Sequence, residues 1–111
     1  MALHLPERRA EDSLFSFQAR QVVLGTGGRR FVIEPVDARF LLVELAKIEG
    51  TRAKAARSAS TIVSVALSQG WPVAFAEDEE RALVRALEGL RARRPLSPGL
   101  RALRDELVAA R

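Results

Sequence analysis

The clearest regular pattern in the chain is an alternation of apolar and polar residues near its amino-terminal end. The apolar positions of the first run are Phe15, Phe17, Val22 and Leu24, and the alternation resumes at Phe31 and Ile33. Between the two runs lie residues 25–29, which contain three glycines and suit a tight turn. The pattern therefore predicts an antiparallel β-hairpin.

The rest of the chain is dominated by apolar residues at helical spacing, which predicts four helices. The first follows Pro35 and runs to about Glu49, and the second is capped by Thr51 and runs to Gln69. The third opens with the acidic run at 77–80 and ends near Arg94, and the fourth begins at Ser97 and Pro98. The first helix is apolar around most of its circumference, so we expect it to be substantially buried.

These elements predict an α+β fold with a single domain at residues 13–111. The amino-terminal antiparallel hairpin is expected to pack on a bundle of about four α-helices, with the second helix in the middle. Apolar residues alternate in segment 71–76, which begins at Trp71 and could add a short strand to the hairpin. Residues 1–12 are charged and lack periodicity, so they are expected to form a mobile arm.

Composition narrows the setting in which the chain works. It has no cysteine among its 111 residues, which excludes disulfides and thiolate metal sites and fits a reducing cytoplasm. The charged amino terminus does not resemble a secretory signal. Residues 58–76 are uncharged, but their four serines, Gly70 and Pro72 argue against a membrane span.

Candidate catalytic groups are few. A nucleophilic triad needs a base beside Ser or Cys, but the chain has no cysteine and its only histidine, His4, lies in the predicted mobile arm. The acidic pairs at 79–80 and 105–106 are adjacent on helices, so their carboxylates diverge. The glycines at 25–28 precede a strand rather than a helix, which argues against a phosphate loop. We expect no enzyme activity, no metal and no cofactor.

The positive charge of the chain is concentrated in one short segment. Residues 51–76 hold three bases and no acid, whereas residues 1–50 and 77–111 are close to balanced. The three bases are Arg52, Lys54 and Arg57, hereafter the basic turn, and they oppose the dipole of the second helix. One interpretation is an anionic partner such as nucleic-acid phosphate, with Arg29 and Arg30 of the hairpin contributing. The other is internal neutralisation by Glu49 or by the acids at 77–80.

The second helix carries hydroxyl groups where a surface helix usually carries charges. Thr61, Ser64 and Ser68, hereafter the hydroxyl row, lie on the side opposite its apolar residues. Two interpretations follow: the helix is central and enclosed by the rest of the chain, or the hydroxyl row packs against another subunit.

The leading functional hypothesis is a small non-enzymatic interaction module, working as a homo-oligomer or as an accessory subunit of a larger protein. The alternative is sequence-independent nucleic-acid binding through residues 29–30 and 52–57. Binding of a small apolar ligand near Trp71 is a third hypothesis. Stacking of bases is not expected, because the few aromatic residues occupy predicted core positions.

Overall fold

The computed structural model describes residues 21–70 and 74–109. The strands are β1 (Val22–Thr26) and β2 (Arg29–Ile33), and the helices are α1 (Pro35–Ala46), α2 (Ala53–Gln69), α3 (Glu77–Arg91) and α4 (Pro98–Ala109). A hairpin followed by four helices in these ranges confirms the predicted α+β fold. The predicted arm at 1–12, the start of the first predicted strand before residue 21, His4 and Trp71 lie outside the described residues.

The hairpin follows from the alternating pattern and from its two-residue turn. The strands are antiparallel, with Val22 paired to Ile33 and Thr26 paired to Arg29. Gly27 and Gly28 connect them with φ of 58° and 75°, a left-handed conformation that glycine adopts without strain. In segment 71–76, the described part contains one isolated parallel bridge, between Ala74 and Gly25, in place of a full strand.

The helix termini agree with the predicted signals in most places. Pro35 and Pro98 each occupy the first helical position, and the Leu100 amide donates to Ser97 Oγ at 3.3 Å, as expected for a capping serine. Thr51 does not cap α2, because it lies inside a short 3₁₀ turn at Gly50–Arg52. The first and third helices end about three residues earlier than predicted, at Ala46 and Arg91.

Contacts between the elements show which ends lie together. Along α1, Asp37 hydrogen-bonds Ser97, Phe40 lies under the Arg94 guanidinium, and Glu44 pairs with Arg93, so α1 lies beside the segment that follows α3. Residues from the first turns of α2 and α3 line one depression, so these two helices begin at the same end of the molecule.

The core shows which helix is central. The buried residues of α3 cover most of its circumference and are Ala82, Leu83, Val84, Ala86, Leu87 and Leu90. Those of α2 occupy a single face and are Ala56, Ala59, Val63 and Ala66. The prediction that the second helix lies in the middle is therefore wrong, and α3 takes that place.

The first helix is also less buried than its composition predicts. Leu41 and Leu45 are fully buried, but Val36 and Val43 are 45% and 54% exposed. The outward side of α1 thus keeps apolar residues in contact with solvent.

Candidate interaction surface

The outward side of α2 is an exposed helix face that carries most of the residues singled out from the sequence. Lys54, Arg57, Thr61, Ser64 and Ser68, hereafter the outer face of α2, are all exposed. Because residues three, four and seven apart share a side of a helix, they form one continuous strip. The interpretation of this helix as enclosed by the rest of the chain is therefore wrong for this side.

Two of the three hydroxyl groups on this face are already engaged within the helix. Thr61 Oγ1 donates to the Arg57 carbonyl at 3.1 Å, and Ser68 Oγ donates to the Ser64 carbonyl at 2.8 Å. A hydroxyl donor that is satisfied internally loses less on leaving water than a free one. The hydroxyl row is therefore polar in composition but inexpensive to bury.

The basic turn faces solvent. Arg52, Lys54 and Arg57 are exposed, and among the described residues none of the three forms an ion pair within 4.0 Å. Internal neutralisation by direct contact, one of the two interpretations above, is not seen in this part of the chain.

The acids at 77–80, which were expected to neutralise the basic turn, have other partners. Glu77 pairs with Arg81 at 2.7 Å, Glu79 accepts from the Ala76 amide at 2.7 Å, and Glu80 accepts from the Thr26 hydroxyl. Asp78 accepts from the Glu79 amide at 2.9 Å. The acidic run is thus used to begin α3 and to tie it to the hairpin, in accord with the helix dipole.

A shallow depression of about 330 Å³ separates the amino-terminal turns of α2 and α3. The lining residues are Thr51, Arg52, Lys54, Ala55, Ser58, Asp78, Arg81 and Ala82. Asp78 thereby lies near two of the three bases without pairing with them. Arg57 is not among the lining residues, so the basic turn is divided between the depression and the outer face of α2.

The hairpin arginines do not belong to the same site. Arg29 pairs with Glu106 of α4 at 2.6 Å and stands over the Phe31 ring, 5.6 Å from its centre. Arg30 is exposed. Neither lines the depression. The five bases proposed from the sequence as one anionic contact thus lie in separate places, and Arg29 already has an acidic partner.

Sequence reasoning did not identify the most buried charged contact. The Glu44 carboxylate is 7% exposed, accepts from Lys47 Nζ at 3.1 Å and pairs with Arg93. This group joins α1 to the segment after α3. The signal in the sequence was the position of Glu44 among the apolar residues of a helix. A glutamate at such a position is rarely buried without a cationic partner, so a partner could have been expected.

A second ionic cluster joins α3 to α4. Arg104 donates to Glu88 at 2.6 Å, and this hydrogen bond holds the pKa of the Glu88 carboxyl below its usual value, with Arg91 adding a smaller effect in the same direction. The Glu88 side chain is 42% exposed. The cluster supports the packing of two helices.

Within residues 21–70 and 74–109, no group of three or more acidic or histidine side chains is placed to hold a metal ion. None of the helices in these ranges combines the length and apolar character that crossing a bilayer requires. Comparison of the chain with protein-family models, curated proteins and solved structures finds no significant match.

Proposed function

We propose that this protein is a small, non-catalytic interaction module that works in the cytoplasm and binds its partner through the outer face of α2. The observation that supports this proposal is a row of small, uncharged and exposed side chains on a helix whose hydroxyl donors are largely satisfied. Small side chains let another helix approach closely, and few polar groups would be left unpaired on contact.

The test compares the same introduced residue on two exposed helix faces. Ser64→Arg places a long cationic side chain in the hydroxyl row, whereas Ala102→Arg places one on the exposed side of α4. We expect Ser64→Arg to weaken association at least about tenfold, equivalent to about 1.4 kcal/mol. Ala102→Arg should leave association unchanged, and both variants should fold with the circular dichroism of the original chain.

Association is measured as the light-scattering mass after size exclusion over a range of concentrations, alone and with any protein that co-purifies. Association that survives Ser64→Arg, or that is lost equally with Ala102→Arg, would contradict a role for the outer face of α2.

A second candidate function is sequence-independent binding of nucleic acid. The supporting observation is the solvent exposure of Arg52, Lys54 and Arg57 without an ion pair in the described part of the chain. Phosphate contacts by such cations provide affinity but no base recognition. Two observations argue against a larger basic surface. Arg29 is paired with Glu106, and Asp78 lies in the depression beside the basic turn.

A further inference from the structure

We infer that the partner of the outer face of α2 is a second copy of this chain, whose α2 packs against the first in antiparallel orientation across a two-fold axis near Thr61. The inference rests on the proposed function and names its partner. The supporting observation is the distribution of charge along α2. This distribution is unfavourable within a single helix and becomes favourable when a second copy lies against it.

The charge of α2 is arranged against its own dipole. Lys54 and Arg57 lie in its first turns, where the helix dipole is positive, and no acid accompanies them there. The last turn contains no base, although the dipole is negative at that end. Within α2 itself, neither terminus has a complementary charge, and Asp78 of α3, which lines the depression with Arg52 and Lys54, forms no ion pair with either.

An antiparallel second copy supplies the missing charge at both ends. With Thr61 of each copy on the axis, Lys54 of one copy lies opposite Ser68 of the other, because both are seven residues from the axis. The cations of each basic turn then meet the carbonyl end of the other helix. The two Lys54 side chains stay about 21 Å apart along the axis, at 1.5 Å per residue, well beyond the screening length of about 8 Å.

A parallel arrangement is disfavoured by the same charges. It would place Lys54 against Lys54 and Arg57 against Arg57, with no acid on α2 to separate them. Two like pairs would then meet at one end of the interface. The antiparallel arrangement is the one in which the outer face of α2 is complementary to itself, as a two-fold interface requires.

The dimensions of the face limit how tightly a second copy can bind. At 17 residues, α2 is about 25 Å long, so a strip about 10 Å wide covers on the order of 250 Å². Stable interfaces bury about 800 Å² on each partner. The dimer is therefore expected to dissociate on dilution, and trapping it covalently is the suitable measurement.

The test uses cysteines introduced singly into the cysteine-free full chain. Thr61→Cys places two thiols at the axis, where helix packing brings them within reach of a disulfide. In Ser68→Cys, the two thiols lie about 21 Å apart along the axis, so this variant is the matched control. We expect mild oxidation at high protein concentration to link Thr61→Cys into a dimer at least tenfold more completely than Ser68→Cys.

A second arm mixes Ser68→Cys with Lys54→Cys. Their thiols face each other in the antiparallel arrangement, so the mixture should yield a linked heterodimer although neither variant links well alone. Equal linkage of Thr61→Cys and Ser68→Cys, or strong linkage of Lys54→Cys alone, would overturn the antiparallel dimer.

The proposed function and this inference fail differently. If Ser64→Arg disrupts association but Thr61→Cys does not link, the face is an interface and the antiparallel second copy is wrong. If the chain remains monomeric at millimolar concentration, the inference that the partner is a second copy is wrong. This holds even if another protein or a nucleic acid binds the outer face of α2. If Thr61→Cys links selectively, the partner and its orientation are supported together.

Discussion

At the scale of single residues, Glu44 and Gly89 depend on each other. The Glu44 carboxylate is buried and held by Lys47 and Arg93, and a Cβ added at Gly89 would lie 2.9 Å from Glu44 Oε1. A glycine in a helix interior normally costs about 1 kcal/mol relative to alanine. Here the glycine makes room for the buried carboxylate, so its cost is offset by the ionic contact.

The pair gives a prediction about non-additive stability. Gly89→Ala alone should give no gain in the free energy of unfolding, because the carboxylate must move away from two cations. In a Glu44→Ala background, the same change should stabilise by about 1 kcal/mol. Urea denaturation of the four chains of this cycle measures the coupling. Equal stabilisation by Gly89→Ala in both backgrounds would show that the carboxylate is free to move.

At the scale of elements, the sequence predicts what depends on local pattern and misses what depends on neighbours. The hairpin follows from Gly27, Gly28 and the alternation around them, and the start of α4 follows from Ser97 and Pro98. The central position of α3 did not follow, because amphipathicity indicates which side of a helix is apolar and not how many elements cover it. Likewise, Arg29 looked free in sequence, but Glu106 pairs with it from 77 residues away.

The contact between α3 and α4 predicts a dependence on pH. Arg104 lowers the pKa of Glu88 in the folded chain, so the ionised carboxyl favours folding above its unfolded pKa. This contribution is lost as the pH falls through the lowered folded pKa. Screening at this half-exposed site keeps it small.

In Arg104→Gln, the pKa of Glu88 should return toward its ordinary value, and the loss of stability on acidification should become less steep. Carbon-13 titration of the Glu88 carboxyl measures the first effect, and urea midpoints at neutral and acidic pH measure the second. Arg39→Gln, on the exposed side of α1, is the control and should leave the Glu88 pKa unchanged. An unchanged Glu88 pKa in Arg104→Gln would contradict this account.

At the scale of the whole molecule, the net charge of +4 has an uneven distribution. Most of it belongs to Arg52, Lys54 and Arg57, while the bases after α3 are drawn into contacts such as Arg93 with Glu44. A calculated pI of 10.9 therefore overstates the basic surface offered to a polyanion. Among the described residues, Arg52, Lys54 and Arg57 form a small group of exposed cations without an ion pair, next to the acidic start of α3.

This distribution limits how the chain responds to nucleic acid. Three phosphate contacts on duplex DNA give a slope of about −2.7 for log affinity against log salt, or about 40-fold weaker binding at 200 mM than at 50 mM. Any binding to a short mixed-sequence duplex should not exceed this dependence, and Arg57→Ala should reduce the slope by about one. Arg29→Ala should change it little, since Arg29 is paired with Glu106.

Light-scattering mass with and without DNA at both salt concentrations provides the comparison. A mass that rises with protein concentration and does not change with DNA or salt favours the protein interface. A slope well beyond −3 would mean that many more cations bind DNA. In that case the partner proposed for the outer face of α2 would be wrong.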